Sequence, residues 1–386
     1  MGDFLGDLQR TSEAIGKVRN EGGWGQLYVS LRQDVVADVA WGTSPGGVEM
    51  SPEFLVPWAS AVKPTTNMLV MQAWERGELA PDDRVADHIA GFEVGEKDDV
   101  TLRHLLTHTG HLGGYRGPMN LGTWDDTIDK IVKSPRVGPS PLRPGASRVR
   151  AARGVARAAA TYPPAPLPLL GTTSSYNPAG TWILAEIVRR LDERGRDFGQ
   201  IVREEVYEPC GMHDSWNGIP PDRFEGYGSR LAVLNATAET ASKSQPAGGG
   251  VGPSRDLGRF YEVMLAGGSL GDRQLVSPQT VEAMTTPKSV AGTMGIWGFG
   301  FNLNASKVYA PEPPTASEED RAAEEASQTF GVGRRRFGSH SSWRTFGHGG
   351  ATGMQAFADP EHELVIAAIG RVPVADAVYE DLGLAP

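Results

Sequence analysis

Ser60 and Lys63, in the stretch PWASAVKPTT, are the first residues whose types and spacing could do chemistry. Positions i and i+3 share one face of a helix, so the amine can reach the hydroxyl. A serine is a weak nucleophile until a base takes its proton, and a desolvated lysine can lose its own charge and act as that base. The spacing taken alone favours the simpler alternative, a solvated helix face.

Two later segments add a phenol and an imidazole. Tyr176, in SSYNPAG, precedes an amphipathic helix, and a phenol near a lysine ammonium can ionise below its usual pKa and shuttle a proton. His348 precedes Gly349, Gly350 and a predicted strand, where backbone NH groups could bind an oxyanion. A core tyrosine and a tight turn before a strand are the structural alternatives.

Two other motifs compete with this serine chemistry. GTSPG at residues 42–46 matches a nucleophile elbow, but Pro45 has no NH for the oxyanion hole. His104, His108 and His111 have a helical spacing that could hold zinc, but the segment lacks the Glu of H-E-x-x-H and a nearby carboxylate ligand. We therefore expect no metal and no cofactor, and keep a zinc hydrolase as an alternative.

These residues must be positioned by strands at both ends of the chain and helices between them. Residues 26–41 predict a hairpin about a polar RQD turn, and IWGFGFNL, MQAFADP and ELVIAAIG predict strands near the C-terminus. Helical periodicity predicts a helix from Ser60 to Gly77, and three more in the segments VTLRHLLTH, AGTWILAEIVRRLDERG and RDLGRFYEVMLAGG. The predicted fold class is α/β (α+β): an antiparallel sheet built from N- and C-terminal strands, flanked by helices, with an inserted, mostly helical subdomain.

This pattern predicts a single catalytic unit over residues 1–386. Residues 1–65 and 250–386 would form the sheet subdomain, and residues 66–249 the helical subdomain. Residues 134–173 are crowded with Pro, Ala and Arg, and residues 305–336 run from acidic residues into GRRR, so both are predicted to be surface insertions.

Composition narrows the classes of partner. The formal net charge of -10 argues against nucleic acid as a partner, because phosphate recognition needs a basic face. Cys210 is the only cysteine, so it is expected to be a buried core thiol without a disulfide. The N-terminal residues lack an apolar signal region and no segment has the length of a membrane span, which predicts a cytoplasmic protein without a membrane partner. The oligomeric state is not predicted.

Taken in order, these phrases resemble the serine β-lactamase and penicillin-binding-protein superfamily, most closely its class C-like esterase and transacylase branch. The resemblance covers roughly residues 25–372 outside the two insertions. Its strongest phrases are SAVKPTTNMLVMQAWERGELAPDDRVADHI, VTLRHLLTHTG and FGHGGATGMQAFADPEHELVIAAIGR. A fold of the β-lactamase/transpeptidase type is implied.

The resemblance implies a role for each matching residue. Ser60 would be the acylated nucleophile, Lys63 its proton partner and Tyr176 the general base and acid. The NH groups of Ser60 and Ala351 would form the oxyanion hole. The residues implied to bind substrate are His348, Gly349, Gly350 and Asn177.

Two departures from the family pattern narrow the substrate. The Tyr-x-Asn motif reads Tyr176-Asn177-Pro178 here, and His348 replaces the lysine that would attract a substrate carboxylate. Both point away from penicillins. We expect a serine acyl-enzyme catalyst that takes a small-molecule ester or activated amide and passes the acyl group to water, or to an amine or alcohol. A β-lactamase, a D-aminopeptidase or DD-peptidase-type hydrolase, and a non-catalytic binding member remain alternatives.

Overall fold

The computed structural model describes residues 8–113, 122–137, 169–172, 174–288, 295–304, 335–370 and 374–385. The strands are β1 (Gly25–Leu31), β2 (Asp34–Trp41), β3 (Val56–Pro57), β4 (Trp216–Asn217), β5 (Gly250–Gly252), β6 (Ser269–Leu270), β7 (Arg273–Gln274), β8 (Ile296–Trp297), β9 (Asn302–Leu303), β10 (Phe346–Gly349), β11 (Gln355–Asp359) and β12 (Leu364–Ile369).

The α-helices are α1 (Gln9–Asn20), α2 (Lys63–Glu75), α3 (Val85–His88), α4 (Leu102–Leu106), α5 (Trp124–Lys133), α6 (Pro178–Leu191), α7 (Phe198–Val202), α8 (Pro221–Tyr227), α9 (Ala238–Ala241), α10 (Ser254–Leu265), α11 (Pro278–Thr285) and α12 (Val374–Asp381). Short 3-10 segments span Ala59–Val62 and Gly228–Leu231, and a π-helical segment spans Arg203–Tyr207.

One antiparallel sheet joins the two ends of the chain, which confirms the predicted fold class. Its strand order is β2-β1-β12-β11-β10-β9-β8, so the N-terminal hairpin pairs directly with the last strand. The hairpin itself is confirmed: Arg32 and Gln33 have φ angles of 52° and 69°. Two consecutive left-handed residues are typical of the tight turn whose twist matches the flanking strands.

Alternating side chains bury both faces of this sheet. In β1, Leu27 and Val29 belong to a core cluster with residues of α12, whereas Tyr28 belongs to the main core with residues of α10. This follows from strand geometry, because successive side chains point to opposite faces. Full burial of each aliphatic side chain contributes about 1.5–3 kcal/mol, so both layers of helices hold the sheet in place.

Helix α2 is buried around nearly its whole circumference. The buried positions run continuously from Lys63 to Met71 and include Ala73, and the helix packs against α6. A helix buried on all sides lies inside the protein core. This placement, inferred only in part from the apolar run after Ser60, is what removes Lys63 from water.

Helix α4 is shorter than the predicted helix over VTLRHLLTH. It spans only Leu102–Leu106, because the Thr107 hydroxyl bonds back to the carbonyl of Arg103 and His108 takes a left-handed φ of 56°. A non-glycine residue in that region ends a right-handed helix.

The remaining sequence predictions have different outcomes. Cys210 is fully buried in the main core, as expected. Most of the two predicted insertions, 134–173 and 305–336, lies outside the described residues. The division into subdomains stays a prediction. Within the described ranges, every helix is too short or too polar to span a bilayer.

Asp359, at the end of the central strand β11, ties the sheet to α12, and this carboxylate generates a testable prediction. It is fully buried and accepts hydrogen bonds from Tyr379 Oη at 2.6 Å and the Ser342 NH at 2.7 Å. Burial alone would raise the pKa of Asp359, but these hydrogen bonds and one from His362 outweigh burial and hold the pKa below its ordinary value.

We expect Asp359→Asn to lower the free energy of unfolding by roughly 2 kcal/mol or more, because hydrogen bonds to a charged acceptor are lost. A depressed carboxyl pKa stabilises the fold above the ordinary value of about 3.9, and this contribution is lost as the pH falls through the folded-state pKa. Urea unfolding of both proteins between neutral and acidic pH measures it, with exposed Asp34→Asn as control. Equal stability of Asp359→Asn and wild type at neutral pH would contradict this role.

Candidate active site

The candidate nucleophile lies where a short strand turns into the buried helix. Ser60 is part of the 3-10 segment Ala59–Val62 between β3 and α2, and its side chain is half-buried. Ala59 has a φ of 47°, a left-handed value that is strained for alanine. The Ser60 NH lies in the first helical turn, where backbone donors have no intrahelical acceptor. That NH is therefore free to bind an oxyanion.

Lys63 is the buried base candidate. It is 1% exposed, and its Nζ donates hydrogen bonds to Ser60 Oγ at 2.9 Å and to the carbonyl of Ala247 at 2.5 Å. Burial lowers the pKa of Lys63 from 10.5 to about 7. No carboxylate in the described part of the chain is within ion-pair distance of this amine. A large share of Lys63 is therefore neutral near pH 7 and can accept the Ser60 proton.

Tyr176 completes the predicted trio, but its ionisation differs from the expectation. Lys63 Nζ lies 5.1 Å from the centroid of the Tyr176 ring, and the phenol oxygen is not within ordinary hydrogen-bond distance of any described residue. Burial raises the pKa of Tyr176 above its ordinary value, although nearby Ser60 and Arg336 oppose that rise. The prediction of a readily ionised phenol is wrong, because desolvation outweighs the effects of the Ser60 hydroxyl and the Arg336 charge. Tyr176 keeps its proton in the resting site and can donate it.

Asn177 has a structural role beside the predicted one. Its Oδ1 accepts a hydrogen bond from the Ala179 NH at 2.8 Å, which makes it the N-cap of α6, and its Nδ2 donates to the carbonyl of Leu112. These bonds hold the segment that carries Tyr176. One Nδ2 hydrogen and one Oδ1 lone pair remain, so substrate binding by Asn177 stays a prediction.

His348 lies within a short strand that the sequence did not predict, β10, and the predicted strand follows it as β11. Its Nδ1 is 2.7 Å from the Gly349 carbonyl, which can only accept, so Nδ1 carries a proton. Burial, assisted by the charge of Lys63, lowers the pKa of His348 well below its ordinary value. The ring is therefore neutral, and its Nε2 carries a lone pair that has no partner among the described residues. His348 cannot supply the positive charge of the lysine that it replaces.

The turn after β10 is fastened beside the nucleophile. A Cβ added to Gly350 would lie 2.1 Å from the carbonyl oxygen of Trp58, and Thr352 Oγ1 donates to the carbonyl of Pro57 at 2.7 Å. Only glycine permits this approach of two backbones. The Ala351 NH has no acceptor among the described residues, so the turn carries a free donor next to the segment that leads into Ser60.

The structure adds residues that sequence reasoning did not assign to the site. His108 lies 4.7 Å and Trp297 5.8 Å from the Tyr176 ring, measured between centroids. Ala247 supplies the carbonyl that binds Lys63, and the charge of Arg336 acts on Tyr176. The glycines after Ala247 are a signal that the sequence analysis did not use, since a Cβ on Gly250 would lie 2.5 Å from Val62. No local signal marks Trp297 or Arg336.

The three histidines considered for zinc do not converge. His104 Nδ1 accepts the Thr101 NH at the start of α4, whereas the His108 ring packs on Tyr176. Among the described residues, no group of three or more His, Cys, Asp or Glu side chains has a geometry that could hold a metal ion. The histidine spacing therefore reflects a helix cap and core packing.

Comparisons with known proteins agree with this arrangement. A family model described as Beta-lactamase matches residues 23–377. The chain is 27% identical to penicillin-binding protein 4 of Amycolatopsis lactamdurans, over 66% of this chain and 61% of that protein. It is 24% identical to the esterase/beta-lactamase LipL of Mycobacterium tuberculosis, over 68% and 63% of the two chains. The matches thus span less than two thirds of these curated relatives.

The fold likeness extends over the whole chain. A solved family VIII carboxylesterase aligns with a TM-score of 0.66 and 19% identity, covering 100% of this chain and 98% of that chain. At this identity the likeness concerns the fold alone.

The close approach at Gly350 predicts a specific sensitivity. Gly350→Ala should displace the turn that carries Ala351 and slow the reaction of Ser60 with a fluorophosphonate on the order of 10²-fold, the effect of losing one oxyanion donor. Gly349→Ala is the matched control, because its Cβ would meet only the Met354 carbonyl at 3.8 Å. Intact mass against time measures both rates. Equal rates for the two variants would contradict the placement of the oxyanion hole.

The low pKa of Lys63 predicts a pH dependence. Lys63 must lose its proton before it can take one from Ser60, so the rate of fluorophosphonate labelling should rise with pH and level off above an inflection near 7. Lys63→Met should react far more slowly and show no such inflection. A wild-type profile that is flat across this range would contradict Lys63 as the base.

Proposed function

Because the chain belongs to the beta-lactamase family, a family of serine hydrolases, we propose that it is an acyl-enzyme esterase acting on a small ester or activated amide. The observation that carries this proposal is the contact between Lys63 Nζ and Ser60 Oγ at 2.9 Å, with the amine buried and half neutral near pH 7. A binding protein has no need of a desolvated base beside a serine.

The acylation step follows from these positions. Neutral Lys63 takes the proton from Ser60 Oγ as this oxygen bonds to the carbonyl carbon of the substrate. The resulting oxyanion is bound by the NH groups of Ser60 and Ala351. Tyr176 donates its proton to the leaving oxygen or nitrogen as that bond breaks, and the Lys63 ammonium restores the proton of Tyr176.

The acyl group then leaves Ser60 by the reverse sequence. Water, or an amine or alcohol, gives a proton to the base as it attacks the acyl carbon, and Ser60 Oγ leaves as the recovered hydroxyl. The sequence left the acceptor open between water and an amine or alcohol, and the family to which the chain belongs is one of serine hydrolases. Water is therefore the proposed acceptor, and acyl transfer is a variant of the same mechanism to be tested.

The charges in the site support an uncharged substrate. His348 is neutral, so the position where the family carries a lysine offers no charge for a carboxylate. A β-lactamase or DD-peptidase-type activity is the second candidate, because the guanidinium of Arg336 acts on Tyr176 and adds positive charge to the site. The two candidates differ in whether a carboxylate on the substrate accelerates the reaction.

The decisive assay compares wild type and Ser60→Ala on a p-nitrophenyl ester. We expect wild-type turnover to depend on Ser60, with a loss of at least about 10³-fold in the variant, because an acyl-enzyme route needs its nucleophile. If wild type and Ser60→Ala hydrolysed the ester at the same rate, the acyl-enzyme proposal would be overturned and a binding role would be favoured.

Two additions to this assay resolve the alternatives. A panel of amines, with product analysis, reports the fraction of acyl groups transferred and not hydrolysed. A matched pair of esters with and without a carboxylate reports the substrate class, and preference for the carboxylate would favour the second candidate. Arg336→Gln is the companion variant, since it should remove such a preference.

A further inference from the structure

His108 contacts the Tyr176 segment through both its backbone and its ring. Its carbonyl accepts a hydrogen bond from the Ser175 NH at 2.7 Å, and its ring bonds to the backbone of Asn177. The centroids of the His108 and Tyr176 rings lie 4.7 Å apart, with the ring planes tilted by 55°. Ser175, Tyr176 and Asn177 therefore all contact His108: Ser175 through the His108 backbone, and Tyr176 and Asn177 through its ring.

The backbone of His108 shows that this placement is imposed by the surroundings. The residue is 6% exposed and has a left-handed φ of 56° directly after α4 ends. A left-handed histidine is uncommon and is held by its tertiary contacts. Trp297 also packs against the His108 ring: the centroids of the two rings lie 4.4 Å apart in an edge-to-face arrangement.

We propose that His108 is a positioning residue: it fixes the Tyr176 ring over Lys63 and seals this amine from water. The inference rests on the proposed acyl-enzyme function. His108 does not touch the reacting atoms of Ser60. It affects the reaction by positioning Tyr176 and by excluding water from the surroundings of Lys63.

Four titratable groups lie close enough to Lys63 to affect its pH dependence. Tyr176, His108 and His348 surround it, and Arg336 acts on Tyr176 and His348 from beyond them. Burial, assisted by the charge of Lys63, lowers the pKa of His108 to about 3. His108 is therefore neutral near pH 7, and an inflection there cannot be its own titration.

The test is His108→Asn, because asparagine tolerates the left-handed backbone and keeps a polar group for the Asn177 backbone, but lacks the ring. We expect kcat on a p-nitrophenyl ester to fall on the order of 10²-fold, the cost of a misplaced catalytic group, with KM little changed. The inflection near pH 7 should move upward by about one unit or more, as water reaches Lys63.

The matched control is His111→Asn, at a histidine that is also buried, 3% exposed, and left-handed, with φ 51°. It should leave the inflection in place. A lower kcat with an unmoved inflection in His108→Asn would mean a structural role only and would overturn the proposal, as would an unchanged kcat. If His108→Asn does not fold, His108→Gln is subject to the same criteria.

A readout without turnover separates this inference from the proposed function. In protein with carbon-13-labelled lysine, the ε-carbon resonance of Lys63, assigned with Lys63→Met, should titrate at higher pH in His108→Asn than in wild type. Absence of Ser60-dependent turnover in wild type would refute the proposed function, and this shift would still decide the role of His108. Equal titration curves in the two proteins would overturn it.

Discussion

The burial of one ammonium group, that of Lys63, is the constraint on which the site depends. A lysine pKa that falls from 10.5 to about 7 means that burial destabilises the charged form relative to the neutral form by roughly 5 kcal/mol. That is comparable with the whole stability of many domains, so the surrounding structure must hold the amine in place against it. Helix α2 does so because nearly all of its circumference is buried and its first residue has no route to solvent. The carbonyl of Ala247 and the hydroxyl of Ser60 satisfy the amine in that position.

The reactive groups come from two layers of the fold. The layers must place these groups relative to one another to within about 1 Å. The helical part supplies Ser60, Lys63 and Tyr176, and the sheet supplies the turn that carries Ala351. Gly350 is where the layers touch, since its missing side chain lets the turn lie against the carbonyl of Trp58. The burial that lowers the pKa of Lys63 also raises that of Tyr176, so the same packing sets one group to accept a proton and the other to donate one.

Local patterns predicted much of this architecture. The hairpin at Arg32, the helix after Ser60 and the C-terminal strands follow from periodicity and turn chemistry, which are properties of short segments. The order of the Ser60, Tyr176 and His348 phrases predicted which distant residues would meet. What failed depended on tertiary packing. The pKa of Tyr176 is raised, whereas the sequence predicted that it is lowered. The rings of His108 and Trp297, which belong to two other segments, pack on Tyr176 and bury it. The structural role of Asn177 was missed because the bond from its Nδ2 to the carbonyl of Leu112 joins two segments that are distant in the sequence.

The central claim is that Ser60 carries the acyl group after Lys63 has taken its proton. The most direct measurement mixes the protein briefly with a slowly hydrolysed p-nitrophenyl ester, quenches in acid, and maps the acyl mass to a peptide after digestion. We expect one acyl group per chain, on the peptide that contains Ser60, formed faster above pH 7 than below it. An acyl group on any other residue, or turnover without any acylated peptide, would contradict this claim.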